Sequence, residues 1–101
     1  MASVEQILDH ILDRAVVEGY LTPLAASEGP VHSAGFLGFQ ELDLPGLPIF
    51  DGALAVDLGT GGGLPGLVLA ATTPWRWLLV DRGDRRVIFL RWAVRQLGIE
   101  E

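Results

Sequence analysis

Leu54-Ala55-Val56-Asp57-Leu58-Gly59-Thr60-Gly61-Gly62-Gly63-Leu64-Pro65-Gly66 decides the fold. A short apolar run closes on Asp57, four glycines fall within the next six residues, and Pro65-Gly66 leads into a second apolar segment. That order predicts a strand, a glycine turn and a helix start. Glycine has no Cβ, so its backbone takes positive φ and approaches a ligand closely. A helix that follows such a turn aims free N–H groups back at it, a suitable seat for a polar or anionic head. Pro65 suits the first helical turn, where its missing N–H costs nothing.

Two registers run through the glycines. Gly61-x-Gly63-x-x-Gly66 fits a dinucleotide fingerprint, which alone is weak. Asp57-x-Gly59-x-Gly61-x-Gly63 sets an acid at the strand end. A carboxylate there repels a pyrophosphate and attracts an ammonium group. S-adenosylmethionine carries an amino group and a sulfonium and has no phosphate, so the acid favours that cofactor. The plain alternative is a glycine turn that binds nothing.

Working outward, Ala53–Leu58 is predicted as the first strand, apolar enough for burial on both faces. Leu64 to Ala71 or Thr72 is the first crossover helix, ended by Thr73-Pro74. Trp75–Asp81 is the second strand and Asp84–Leu97 the second helix, its stripe formed by Val87, Leu90, Val94 and Leu97 and its stop by Gly98. Asp81 ends the second strand 18 residues after Gly63. In a βαβ unit that strand end abuts the glycine turn, and an acid there can accept both hydroxyls of a ribose. The competing reading is a turn acid neutralised by Arg82 or Arg85.

Toward the N-terminus, Ser3–Glu18 is the clearest helix. Val4, Ile7, Leu8, Ile11, Leu12, Ala15 and Val16 share one face, Ser3 and Gln6 make a capping box, and Gly19 stops it. His10 is expected in solvent. Tyr20–Gly29 reads as a connector, and Pro30–Leu42 as a weaker helix opened by Pro30, with Gly35 and Gly38 as points of close packing. Asp43–Gly52, with two prolines and two glycines, reads as a linker.

The chain has 101 residues, half of them hydrophobic, and a net charge of −6. That is one small domain at most. It lacks cysteine, which excludes disulfides, zinc clusters of the cysteine type and thiol catalysis; no metal site is expected. It has no run of 18 apolar residues and its start has no basic region, so neither a membrane span nor a signal peptide is expected, and a cytoplasmic setting is. Residues 1–57 carry nine acids and one arginine; residues 58–101 carry four acids and six arginines. Five of those arginines, Arg82 to Arg95, fall within 14 residues. Such a cluster can face phosphate, but in an acidic chain it reads first as a solvated helix face.

Asp57-Leu-Gly-Thr-Gly-Gly-Gly-Leu-Pro-Gly66, Leu-Leu-Val-Asp81 and Arg85-Arg86-Val-Ile-Phe-Leu90 together resemble the methyltransferases that modify a guanine N7 of small-subunit ribosomal RNA, the glucose-inhibited division protein B family. The resemblance is strong over residues 53–98 and weaker over the front. It implies an α/β fold in which residues 1–52 form a helical lead and linker, and 53–101 the first βαβα units of a class I, Rossmann-like S-adenosylmethionine-binding sheet. It assigns Gly59 and Leu64 to cofactor contact, Asp57, Gly61 and Gly63 to the loop at the methionine end, and Asp81 to the ribose. Thr60 joins them as a candidate contact within the same loop. Ribosomal RNA is the partner the family implies. No catalytic residue is nominated: the family's later strands, with adenine-side contacts and an arginine near the RNA, have no counterpart in 101 residues.

Two strands leave sheet edges and faces bare. Three arrangements would answer this: a fragment of a longer chain, a homodimer through the open sheet edge, or front helices covering the gap. The rival functions are an NAD- or flavin-binding Rossmann unit and a non-catalytic, dimerising interaction module.

Overall fold

The computed structural model describes residues 2–35 and 54–99. The expected linker, and the end of the helix expected over 30–42, lie outside the described residues. The elements run α1 (Val4–Val17), α2 (Pro23–Gly35), β1 (Leu54–Leu58), α3 (Gly66–Thr72), β2 (Arg76–Val80) and α4 (Asp84–Leu97). The protein is mixed α/β: a two-stranded parallel sheet with helices, the beginning of a Rossmann-like methyltransferase sheet.

Helix α1 starts where its sequence says. The Gln6 N–H donates to Ser3 Oγ at 3.1 Å and the Ser3 N–H to Gln6 Oε1 at 2.9 Å, a closed capping box. It ends at Glu18, and Gly19 turns the chain at φ 82°. His10, expected in solvent, is exposed but also meets the Trp92 ring, their centroids 5.8 Å apart.

Helix α2 corrects the sequence reading. It begins at Pro23, not Pro30, and takes up most of the expected connector. Thr22 caps it: its Oγ1 accepts from the Ala25 N–H at 3.1 Å, and Pro23 fills the first helical position. Pro30 sits inside the helix. The close-packing glycine is Gly29, where an added Cβ would strike the Leu64 side chain, whereas one at Gly35 would meet nothing.

Strands β1 and β2 pair in register from Leu54 opposite Arg76 to Leu58 opposite Val80. Side chains alternate. Ala55, Asp57, Trp77 and Leu79 face the helices; Leu54, Val56, Leu58, Leu78 and Val80 are exposed. The expectation that β1 is covered on both faces therefore fails among the described residues. Helix α3 begins at Gly66, two residues later than expected, because Gly61–Pro65 form turns.

The core joins the front to the sheet unit. Ile11 and Ala15 of α1, Leu67 of α3, and Phe89, Leu90 and Ala93 of α4 form one buried cluster. The Tyr20 ring packs against Phe89 at an inclined angle, their centroids 5.3 Å apart, extending the cluster toward the glycine turn. Among the described residues, no helix is long and apolar enough to cross a membrane.

Candidate functional site

Both strands end at the glycine turn. The N–H groups of Gly59 and Thr60 donate to the Val80 carbonyl at 2.8 and 3.1 Å, so the turn continues the sheet ladder. Gly59, Gly61 and Gly63 then take φ of 71°, 55° and 101°, a succession for which side-chain-bearing residues are poorly suited. Asp81 follows Val80 immediately and reaches the turn: its Oδ2 accepts from the Gly61 N–H at 2.8 Å. A cleft of about 360 Å³ opens here, lined by Gly19, Tyr20, Gly59, Gly61, Asp81, Arg82 and Arg86.

Asp81 is the most constrained group in that cleft. Its side chain is 5 % exposed. Oδ1 accepts from the Gly83 N–H at 2.8 Å and from Arg86 Nε at 2.6 Å. The Gly83 N–H, then the Arg86 hydrogen bond, hold its pKa down at about 2; the Gly61 N–H and the Arg86 charge add to this, and burial opposes them. The competing reading of Asp81 as a neutralised turn acid has its counterpart in the structure, with Arg86 rather than Arg82 or Arg85 as the partner. Helical side chains slope toward the N-terminus. With α4 starting at Asp84, the third helical residue is the one that reaches back, and that signal was present in the sequence.

Asp57 is placed differently from Asp81. Its Oδ2 accepts from the Gly66 N–H at 2.9 Å, at the start of α3. The first-turn amides expected to face a ligand are thus spent within the chain: Gly66 on Asp57, and Leu67 on the Gly63 carbonyl at 2.7 Å.

Gly59, Gly61 and Asp81 share the cleft; Asp57, Thr60, Gly63 and Leu64 are not among its lining residues. The Gly63 N–H donates to the Thr60 carbonyl at 2.8 Å. Leu64 packs on Gly29 and lines a separate depression against α2. Thr60 is buried and its hydroxyl has no hydrogen-bond partner among the described residues. Sequence reasoning missed Gly19 and Tyr20, which the end of α1 delivers to the cleft wall, because nothing local in the chain announces a long-range contact.

A glycine turn across the carboxyl ends of two parallel strands, with an acid closing the second, is the start of a Rossmann-like α/β unit, and the family it matches is one of methyltransferases. The family model for rRNA small subunit methyltransferase G matches residues 44–101, more than half of the chain, and the chain belongs to that family. Curated proteins named ribosomal RNA small subunit methyltransferase G are similar to it. The Dichelobacter nodosus protein is 31% identical over 97 residues, 95% of this chain and 33% of its own length. The Laribacter hongkongensis protein is 38% identical over 65 residues, covering 62% of this chain and 31% of its own. The Desulfotalea psychrophila protein reaches 50% over 58 residues, 56% of this chain and 26% of its own. The chain thus spans about a third or less of the length of these relatives. No solved structure matches it.

Proposed function

We propose that this chain binds S-adenosylmethionine as the cofactor-holding part of a methyltransferase acting on a guanine N7 of small-subunit ribosomal RNA. The observation that carries this reading is the approach of the Asp81 carboxylate to the Gly61 amide at 2.8 Å, on the wall of a cleft floored by bare glycine backbone. An ionised carboxylate there accepts hydrogen bonds, which suits a ribose hydroxyl. The Asp57–Gly66 contact bears on the rival cofactors. The N-terminus of α3, where a pyrophosphate would sit in a dinucleotide site, holds the chain's own carboxylate. A second anion would meet repulsion there, which disfavours NAD and flavin dinucleotides.

When bound, the cofactor supplies an activated methyl group on its sulfonium. The residues of this chain bind and orient it: Asp81 at the ribose, Gly59 and Gly61 along the bare floor, with Asp57, Thr60, Gly63 and Leu64 shaping the turn behind. A guanine N7 is already nucleophilic, so placing it in line with the methyl group is the main requirement. On this reading residues 53–101 hold the cofactor, residues 1–52 are a helical lead and linker whose Gly19 and Tyr20 line the cleft, and the protein works on ribosomal RNA in the cytoplasm with little or no methyl transfer by these 101 residues alone. The open sheet edge is the feature a homodimer would use, and a monomer by light scattering removes that arrangement.

Calorimetric titration with S-adenosylhomocysteine and, separately, NADH tests the assignment. Binding of the first, lost in Asp81→Ala and weakened in Asp81→Asn, is the expected result. Binding of NADH alone would transfer the site to the dinucleotide class.

A further inference from the structure

The cleft contains a residue to which no role has been given. Arg86 lies beside Asp81 with its side chain 43 % exposed, while the carboxylate it meets is 5 % exposed. Its guanidinium lies over Gly83 so closely that a Cβ there would fall 2.9 Å from Cζ. Glycine at 83 thus opens the path along which Arg86 folds back. With three donors already on it, from Gly61, Gly83 and Arg86, the carboxylate has both oxygens oriented and about one of its roughly four lone-pair sites left.

We propose that Arg86 is the positioning residue for the Asp81 carboxylate, holding it ionised and turned toward the glycine turn so that its remaining acceptor site meets a single ribose hydroxyl. The proposal rests on the cofactor reading above and narrows it, since a free aspartate could take both hydroxyls. Burial of Asp81 works against its charge, and the charge-assisted bond from Arg86 offsets that. Besides Asp81 and Arg86, the charged residue lining the cleft among the described residues is Arg82, from the β2–α4 turn. Tyr20 contributes the phenol from the front, and α3 has no titratable side chain.

Two measurements on wild type, Arg86→Gln, Arg86→Lys and the exposed-site control Arg85→Gln test this. The first follows the Asp81 carboxyl carbon by NMR from pH 5 downward. Wild type and Arg85→Gln should titrate near pH 2. Arg86→Gln should titrate at higher pH, and Arg86→Lys between them. The second is S-adenosylhomocysteine affinity at pH 7, with circular dichroism confirming the fold. Arg86→Gln should bind about tenfold more weakly or worse, with partial recovery in Arg86→Lys. An unmoved Asp81 titration in Arg86→Gln, or an unchanged affinity, overturns the positioning role. If wild type binds no S-adenosylhomocysteine while the Asp81 titration still follows residue 86, the cofactor reading falls and the control of Asp81 by Arg86 stands.

Discussion

The Asp57 carboxylate caps the amide of Gly66 at 2.9 Å, tying the end of β1 to the start of α3 across nine residues. This bond closes the glycine turn from behind. It also gives one oxygen of the strand-end acid a structural task, since Oδ2 is engaged by the chain's own backbone.

Asp57→Ala removes the acceptor and leaves the buried Gly66 N–H unsatisfied. The expected loss is about 1–3 kcal/mol in urea denaturation. Asp57→Asn keeps a side-chain oxygen and should lose clearly less. Equal losses in the two variants would show that charge at the α3 terminus matters more than the hydrogen bond.

Gly66→Ala tests the same join from the other side. A Cβ there meets Leu79 and the Asp57 carboxylate. Overpacking of this kind costs about 1–3 kcal/mol, read as a lower denaturation midpoint. The added cost of Gly66→Ala should shrink in part when it is made on a Leu79→Ala background, which removes the Leu79 contact and leaves the one with Asp57.

Acid stability should depend on Asp81. Its folded pKa is lowered to about 2, so its contribution is fully present above the ordinary value of 3.8 and is lost as pH falls through about 2. Asp81→Asn should therefore be less stable than wild type at pH 6 by equilibrium denaturation. The gap should narrow steadily between pH 4 and pH 2.

Ile11→Ala should cost about 2–5 kcal/mol, the range for emptying a fully buried aliphatic site. Ile11 is 0 % exposed within the cluster shared by α1, α3 and α4. Because this cluster joins the front to the sheet unit, the thermal transition should stay single and move down. Two separated transitions would show the halves melting independently.

Thr22→Ala should destabilise by about 1 kcal/mol through loss of the α2 cap. Thr22→Ser, retaining the hydroxyl, should recover most of it in the same denaturant series.

The elements with strong local signals were legible in the sequence. The Ser3–Gln6 box and helical apolar spacing gave α1, the glycine turn fixed the order strand–turn–helix, and the bounds Asp84–Leu97 stand as read, although α4 buries Phe89, Leu90 and Ala93 while Val87, Val94 and Leu97 of the expected stripe are only half-buried. Helix α2 was misread because Pro30 looked like a start, while Thr22-Pro23, a cap followed by a proline, carried the true signal. At the site, Gly59, Gly61 and Asp81 were legible because strand ends and tight turns converge by topology alone. Tyr20 and Gly19 were not, since they arrive through the packing of Tyr20 on Phe89, a contact across about seventy positions that no short pattern encodes.

Gly62 and Gly29 have a shared consequence. A Cβ on Gly62 would strike Leu21, and one on Gly29 would strike Leu64. Each half of the molecule offers a leucine peg and each offers the bare notch that receives the other's. The halves are dovetailed, so the amino-terminal helices are joinery for the ligand loop. Excising them would strip that loop of its backing, and a ligand seated in the loop would raise the melting temperature of helices it never touches.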